Sequence, residues 1–294
     1  MQLINQYYFY KSAIPLPKCK EIIAHGLSKM ELDESKGVSK TATTFDGKEK
    51  GGVSMKGEKV NDVPTAGATK ATLRKKGIDV NKTYVRDSDV SWLSDKWMYD
   101  IFHPYIHHAN KHAGWNWEWD FSEPFQFTVY HGRKENGGFY GWHADGQSDH
   151  ISVYKAAVNM GTTDKPDWRK VLRDDKGFIR FDEFKKPVPS KEKVPLRKDG
   201  KSLAPGYSDN IHMWDKVRKL SMTVNLTDPK NYAGGNLKFD FGHHRAKGRF
   251  HVCKEIRPTG SIIIFPSFLY HCVTPVTRGT RYSLVLWSLG KPFK

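Results

Sequence analysis

Three side chains of this chain have the types and spacing of a metal site. His143 and Asp145 stand two residues apart in the stretch Tyr-Gly-Trp-His-Ala-Asp-Gly, and a lone His271 follows the apolar run from Ser261 to Tyr270. Two imidazoles and one carboxylate form the ligand set of non-haem iron centres that leave positions open for O2 and a co-substrate. The pattern therefore predicts an oxygenase-type iron site with His143, Asp145 and His271 as metal ligands and catalytic residues.

A basic residue near the third ligand extends this pattern. Arg281 stands ten residues after His271 and opens an apolar strand, on which Arg281 and Ser283 share a face because strand side chains alternate. A guanidinium beside a hydroxyl can hold a carboxylate in one orientation. We therefore predict that Arg281 and Ser283 bind an anionic co-substrate. Arg278 is the competing candidate, although its position beside Gly279 is typical of a turn.

The choice of His271 depends on its context, because a His-x-Asp pair alone would be better interpreted as an ordinary packed histidine. The run Ser261–Phe265 has the character of a buried strand, and Pro266 ends it. His271 then lies at the entry to the next strand, from which its ring can point inward. Other histidines could supply the third ligand; they are His131, His212, His243, His244 and His251.

Hydrophobic periodicity predicts the elements that position these residues. Residues 7–12 are expected to form a strand, Lys18–Lys29 a short helix, and Lys96 to Ala113 a second helix that Ser94-Asp95 caps. The chain is strand-rich after this helix, with turns between the strands, as in a β-sandwich or jelly roll. The predicted strands are Asp87–Trp92, Phe125–Tyr130, Phe139–His143, Leu220–Leu226, Gly235–Phe239, Arg249–Val252, Ser261–Phe265 and Arg281–Leu286.

Two stretches interrupt this order. Residues 31–82 are rich in Gly, Lys, Thr and Ser and are predicted to be a loop insertion. Residues 147–217 follow directly after Asp145, so we predict an insertion at the mouth of the site, with a decorative loop as the alternative. Within it, Leu172–Glu183 imitates a calcium-binding loop, but Leu172 and Lys176 replace two oxygen ligands and favour a simple turn.

These motifs together resemble the Fe(II)- and 2-oxoglutarate-dependent oxygenases, and more closely their prolyl 4-hydroxylase-like branch. The resemblance covers most of the chain outside the two insertions. Its basic residue ten positions after the remote His is Arg281 here, where many members of the family have lysine. The matching positions are Tyr130, Gly137-Gly138, Tyr140, His143-Ala144-Asp145, Gly234-Gly235, Phe265-Pro266, His271, Thr274-Pro275-Val276 and Arg281.

The resemblance implies an α+β fold, with a double-stranded β-helix (jelly-roll) core on which N-terminal helices pack, in a single domain over residues 1–294. It implies Fe(II) on His143, Asp145 and His271, 2-oxoglutarate on Arg281 with support from Tyr130, and O2 and ascorbate as further small molecules. The implied reaction couples decarboxylation of 2-oxoglutarate to C–H hydroxylation. The substrate that this branch suggests is a prolyl residue in a peptide or protein.

Charge and cysteine content leave alternatives for the partner. The net charge is +16, and residues 238–294 hold 10 Lys and Arg against 2 Asp and Glu. That field would attract an anionic co-substrate or acidic partner, but it also suits a nucleobase or nucleic-acid substrate, or merely a solvated surface. A non-enzymatic metal-binding jelly roll is a further alternative.

Three widely spaced cysteines favour a reducing, cytoplasmic location, and no apolar run approaches the ~18 residues of a membrane span.

Overall fold

A computed structural model describes most of the chain outside the predicted first insertion. Its described residues form two compact units; unit 1 comprises Met1–Trp117, Ser122–Asp145 and Leu220–Trp287, and unit 2 comprises Glu118–Phe121, Gly146–Lys219 and Ser288–Lys294. The residues described within these bounds are 3–36, 38, 86–134, 137–146, 153–197, 200–204, 206–242 and 250–293.

Helix α1 of unit 1 spans Leu16–Ser35 and buries one face, formed by Cys19, Ile22, Gly26 and Met30. The spacing of these residues at three or four positions is the periodicity that predicted the helix. The helix continues past the predicted end at Lys29, so residues 31–35 of the predicted loop insertion are helical. Residues 39–82 of that insertion lie outside the described part of the chain.

Helix α2 spans Lys96–His112, close to the prediction, and buries Met98, Phe102 and Ile106. Asp95 occupies the N-cap position, but its side chain makes no capping hydrogen bond, contrary to the prediction. Its carboxylate lies instead 2.7 Å from His25 Nε2 on α1. Asp95 therefore ties the two helices together rather than satisfying the free amides of its own helix.

The strands of unit 1 form two antiparallel layers. The strands are β1 Tyr8–Tyr10, β2 Arg86–Asp87, β3 Asp89–Leu93, β4 Phe121–Ser122, β5 Phe125–His131, β6 Phe139–His143, β11 Val217–Asn225, β12 Tyr232–Gly234, β13 Leu237–Asp240, β14 Phe250–Val252, β15 Ile262–Pro266, β16 Tyr270–Val273 and β17 Val276–Gly290. The larger sheet has the order β1-β15-β11-β17-β5-β3, and the smaller sheet has the order β14-β13-β16-β6-β2, while β4 and β12 pair with β17. Short 3-10 turns lie at Ile211–Met213 and Pro229–Asn231.

This arrangement confirms the predicted α+β jelly-roll fold class. The predicted strand Phe139–His143 coincides with β6, and the predicted strand at Arg281 is the middle of the 15-residue strand β17. The cores of the strands were predictable because their apolar residues alternate or run continuously. Their ends depend on pairing partners, and β17 is long because it pairs with β5 along Thr280–Val285 and with β12 at its start.

Helix α1 packs closely on the larger sheet at Gly26. A Cβ atom at Gly26 would lie 2.4 Å from the ring of Phe127, which is fully buried on β5. We expect Gly26→Ala to destabilise the protein by about 1–2 kcal/mol, because overpacking (~1–3 kcal/mol) outweighs the helix-propensity gain of ~1 kcal/mol. Denaturant unfolding would measure the change. The exposed control Ala24→Gly should lose only the propensity contribution, and a stabilised Gly26→Ala protein would contradict the packing argument.

Unit 2 has its own small sheet, which the sequence analysis did not predict. Its strands are β7 Lys155–Asn159, β8 Trp168–Val171, β9 Pro189–Lys193 and β10 Tyr207–Ser208, in the order β10-β7-β8-β9. Ala156, Val171 and Trp214 form its buried cluster. Polar residues dominate these strands, so apolar alternation could not reveal them. Neither helix in the described part of the chain has the length and apolar character needed to cross a membrane.

Candidate metal and co-substrate site

The smaller sheet of unit 1 brings the three predicted metal-ligand residues together. His143 on β6 pairs with His271 on β16, and Asp145 follows β6 by two residues. Asp145 Oδ1 lies 3.4 Å from His143 Nε2, and Asp145 Oδ2 lies 3.6 Å from His271 Nε2. One ligand atom from each residue lies within 4.8 Å of the others. An octahedral ion with bonds of ~2.1 Å has neighbouring ligand atoms ~3 Å apart, so small side-chain movements would complete such a site.

Backbone carbonyls orient both histidine rings. His143 Nδ1 donates to Gly141 O at 2.8 Å, and His271 Nδ1 donates to Leu269 O at 2.9 Å. A carbonyl can only accept, so each Nδ1 must carry the proton. The Nε2 lone pair of each ring then points toward the carboxylate of Asp145, which is the tautomer that a metal ligand needs.

A bulge in β6 places an aromatic ring under one of these histidines. Along β16, His271 pairs with His143 and Val273 pairs with Tyr140, so the register shifts by one residue between the two pairs. The extra residue lets Tyr140 and His143 face the same side of the strand. Their rings stack with centroids 3.6 Å apart and an interplanar angle of 16°. The stack restricts the rotation of the His143 ring.

His271 is buried, with 6% of its surface exposed, and Phe239 and Phe265 lie around its ring. Burial, with a smaller contribution from the neighbouring His143, lowers the pKa of His271 from 6.5 to about 4, although Asp145 opposes the shift. His271 is therefore neutral at neutral pH. A neutral imidazole is the form that coordinates a metal.

This low pKa makes the stability of the metal-free protein depend on pH. Between pH 6.5 and about 4 the unfolded chain binds a proton on His271 that the folded chain does not bind. The free energy of unfolding should therefore increase by on the order of 1–3 kcal/mol as pH rises across this window, and it should decrease by the same amount as pH falls. Urea unfolding at several pH values would measure it. His271→Gln should flatten the slope relative to the exposed control His212→Ala, and equal slopes would contradict the assignment.

Arg281 is the most conspicuous charge in the larger sheet. Its side chain is 2% exposed, and its guanidinium lies over the ring of Tyr130, its pairing partner on β5, at 5.3 Å. The buried Nη1 atom has no hydrogen-bond partner among the described residues. Ser283 lies on the same face of β17 and is also buried. A buried guanidinium without a partner is costly, so this arrangement is suited to an anionic ligand.

A cavity between the two sheets connects the metal-ligand cluster and Arg281. It encloses about 480 Å³ of empty space, part of which is open to solvent. All six residues that the sequence predicted for the site contribute to its wall. The full lining is Gln126, Tyr130, Tyr140, His143, Asp145, Thr223, Leu237, Phe265, His271, Val273, Arg281, Ser283, Val285 and Trp287.

Two further residues of the cavity wall lie at positions that strand alternation in the sequence indicates. Gln126 lies four positions before Tyr130, and Trp287 lies four positions after Ser283, so each shares a strand face with a predicted site residue. Extending the alternation beyond the motif would have found both.

Arg86 on β2 had no comparable signal, because its strand has only two residues. Its Nη2 donates to Gln126 Oε1 at 2.8 Å, and its guanidinium lies 4.5 Å from the Tyr140 ring centre. The amide oxygen of Gln126 also accepts from Thr128 Oγ1 at 3.4 Å, so both of its hydrogen bonds are made within the protein. Arg86 thus supports Gln126 and Tyr140 in the cavity wall, a role that neither motif nor spacing indicated.

The competing histidines that the structure describes do not join this cluster. His131 lies 2.9 Å from Asp89, and His251 lies 2.9 Å from Tyr7 OH. His212 belongs to unit 2 and stacks on Phe121, while His243 and His244 lie outside the described residues. Among the residues that the structure describes, His143, Asp145 and His271 form the one group of three that could hold a metal ion.

The site fits Fe(II) and 2-oxoglutarate. Two imidazoles and a carboxylate on one side of a cavity match the ligands of a non-haem iron centre with open positions. The unpartnered Nη1 of Arg281, on the wall of the same cavity, matches a carboxylate of the co-substrate. The roles of the individual residues stay predictions.

Comparison with known families identifies part of the chain. Residues 200–289 match the family described as the 2OG-Fe(II) oxygenase superfamily. This range includes His271, Arg281 and Ser283 and begins downstream of the His-x-Asp pair, which it does not include. The match confirms the resemblance stated from the sequence, and with it the family's cofactors Fe(II), 2-oxoglutarate and O2.

Individual relatives match smaller parts or match weakly. The PKHD-type hydroxylase YbiX of Escherichia coli is 43% identical over 70 residues, which are 23% of this chain and 27% of that protein, and the Shigella boydii protein of the same name matches equally. The chain thus spans about a quarter of the length of these curated relatives. Among solved structures, a Pseudomonas putida prolyl-4-hydroxylase has a TM-score of 0.46 at 14% identity, covering 97% of this chain and 92% of that chain. A Paramecium Bursaria Chlorella virus-1 collagen prolyl hydroxylase has a TM-score of 0.45 at 13% identity, covering 98% and 97%.

Proposed function

We propose that this chain, which carries a 2OG-Fe(II) oxygenase region at residues 200–289, hydroxylates a C–H bond of a peptide or protein substrate. His143, Asp145 and His271 would hold Fe(II), and Arg281 would hold the distal carboxylate of 2-oxoglutarate with help from Ser283 and Tyr130. The bound iron supplies activation of O2, coupled to decarboxylation of 2-oxoglutarate to succinate and CO2. The protein residues would orient the two small molecules on the wall of the cavity.

The observation that carries this proposal is the placement of Arg281. Its buried guanidinium, whose Nη1 has no hydrogen-bond partner among the described residues, shares one cavity with a cluster that could bind a divalent ion. In a jelly roll that only stored a metal or had a structural role, a desolvated cation in the cavity of the metal site would be destabilising and without function. A co-substrate that chelates the metal at one end and carries a carboxylate at the other would satisfy both features.

The finer proposal is that the substrate is a prolyl residue. It is supported by the motif set of the prolyl 4-hydroxylase-like branch, from Tyr130 to Arg281. The name of the partial relative, a PKHD-type hydroxylase, agrees with hydroxylation and does not specify the substrate. Asp145 supports hydroxylation in particular, because halogenating relatives have a small residue at this ligand position.

Succinate release across a substrate panel would test both levels. The protein would be incubated with Fe(II), 2-oxoglutarate and ascorbate, and with peptides that contain proline or carry alanine at the same positions. We expect succinate release that depends on proline, together with a product one oxygen atom heavier. Succinate release with another class of substrate would support the oxygenase chemistry and reject the assignment of a prolyl substrate. Absence of succinate release with every substrate, and also in the absence of any substrate, would reject the oxygenase proposal.

Three further assignments belong to this proposal. Ascorbate would act as an accessory reductant, which could be tested by omitting it from the assay. A cytoplasmic location is supported by Cys19, Cys253 and Cys272, which are buried and form no disulfide in the described part of the chain. Residues 147–217 would be a substrate-facing insertion of the single domain 1–294, because they follow Asp145 directly in the sequence.

A further inference from the structure

Unit 2 contains two tight turns that are built in the same way, in a stretch we name the hairpin segment (residues 172–188). In the first turn, Asp174 Oδ1 accepts the backbone N–H groups of Lys176 and Phe178, each at 2.9 Å. The second turn repeats this pattern eight residues later from Asp182. Each turn has one residue with positive φ at the same place, and main-chain hydrogen bonds join its flanks. The turns are therefore well defined.

These turns hold large aromatic side chains in solvent. Phe178 is 67% exposed, Phe181 46% and Phe184 72%. Burying one such side chain stabilises a fold by ~1.5–3 kcal/mol, and the three exposed rings within these seven residues do not contribute this stabilisation. Single exposed apolar residues are ordinary, but three exposed rings within one short segment of ordered turns indicate a contact surface.

The net charge of residues 153–219, which contain the hairpin segment, favours an anionic partner. Residues 153–219 hold 17 Lys and Arg against 10 Asp and Glu, a net of +7. Within the hairpin segment, Lys176, Arg180, Lys185 and Lys186 are exposed and form no ion pair within the described part of the chain. Asp174 and Asp182, in contrast, use their carboxylates to hold the turns, so they are less available to neutralise these cations.

The geometry points to single-stranded nucleic acid: we propose that the hairpin segment is a docking surface for it. A single strand offers phosphates to lysine and arginine and flat base faces to exposed rings, and both contacts occur in proteins that bind single strands with little sequence preference. A duplex would hide the base faces. The proposal goes beyond the proposed hydroxylation and does not depend on it.

An anionic membrane is the closest competitor, and the sequence disfavours it. Asp182 follows Phe181 directly, and Glu183 precedes Phe184 directly. Insertion of these rings into the lipid boundary would draw both carboxylates toward the apolar region, whereas membrane-binding faces keep acids away from their apolar side. Base stacking would leave both carboxylates in water.

Fluorescence anisotropy with the full chain, without Fe(II) or 2-oxoglutarate, would test the proposal. The probe is a labelled oligothymidylate of about 20 nucleotides, longer than the ~4–16 nucleotides that single-strand binding folds cover. We expect binding whose affinity falls with salt, with a log–log slope of about −0.7 for each phosphate contacted. Phe178→Ala/Phe184→Ala should weaken binding by roughly tenfold or more at an unchanged slope. Lys185→Glu/Lys186→Glu should weaken binding and make the slope shallower.

Matched controls come from unit 1. Phe9 is 47% exposed, and Lys11 and Lys20 are also exposed, so Phe9→Ala and Lys11→Glu/Lys20→Glu should change affinity little. Absence of binding at low salt would overturn the proposal. Equal affinity for a duplex, with no effect of the phenylalanine changes, would show polyanion attraction alone and overturn it too. Phenylalanine-dependent binding to phosphatidylglycerol vesicles, without oligonucleotide binding, would assign the surface to membranes. Failure of the hydroxylation assay would leave these outcomes unaffected.

Discussion

Replacing His271 with alanine is expected to abolish retention of Fe(II) by the purified protein. The ring supplies one of three ligand atoms that lie within 4.8 Å of one another, and its tautomer is fixed by the carbonyl of Leu269. Loss of a partner that merely orients a ligand weakens metal binding ~10–100-fold, so loss of a ligand should weaken it by at least about 100-fold. Elemental analysis after dialysis, and titration with Mn(II) as a redox-stable substitute, would measure the loss.

The control for this experiment is a histidine outside the cluster. His212→Ala removes an exposed imidazole of unit 2, and its metal content should equal that of the unchanged protein. His143→Ala should behave as His271→Ala does, because the two rings make equivalent contacts with Asp145. Circular dichroism would show that the variants are folded. Unchanged Fe(II) affinity in a folded His271→Ala protein would reject the proposed iron site.

Replacing Arg281 with alanine is expected to weaken 2-oxoglutarate binding while the metal stays bound. Removal of one member of a buried, hydrogen-bonded charge pair costs about 2–5 kcal/mol, which corresponds to roughly 30-fold to several thousandfold in affinity. Calorimetric titration of 2-oxoglutarate into the Mn(II)-loaded protein would measure the change. The substitution also removes an unpartnered charge from the core, so the free protein should not lose stability from a broken ion pair.

Two further variants make the result specific. Arg281→Lys keeps the charge but loses the planar fork, so its affinity should lie between those of the other two proteins. Arg278→Ala removes the exposed arginine near the start of β17 that the sequence offered as the competing anion site, and this variant should bind 2-oxoglutarate normally. If Arg278→Ala weakened binding and Arg281→Ala did not, the carboxylate site would have been assigned to the wrong arginine.

The elements around the site were predictable because each has a strong local pattern. Helix α1 shows helical spacing of apolar residues, and β15 is a continuous apolar run that Pro266 ends. Their ends were less predictable, since tertiary contacts determine how far a helix or strand continues. Asp95 illustrates this: its local sequence predicts a cap, but a histidine 70 residues away takes its carboxylate.

Parts of the site depended on long-range pairing that no local pattern reveals. The bulge that brings Tyr140 under His143 depends on the register between β6 and β16, whose residues are about 130 positions apart in the chain. Arg86 reaches Tyr140 and Gln126 from a strand of two residues. The sheet of unit 2 was missed for another reason, since its polar strands are specified more by turns such as that at Asp174 than by apolar alternation.

The carbonyl contacts of the two imidazoles have a consequence for sequence drift. Each ring is held by the main chain two residues earlier in the sequence, at Gly141 and Leu269. In many metal sites a separate acidic side chain performs this task, and losing it by mutation impairs the centre. A peptide oxygen cannot be removed by exchanging one amino acid for another. Homologues could therefore vary widely in the shell behind these ligands and still present both rings ready for a metal.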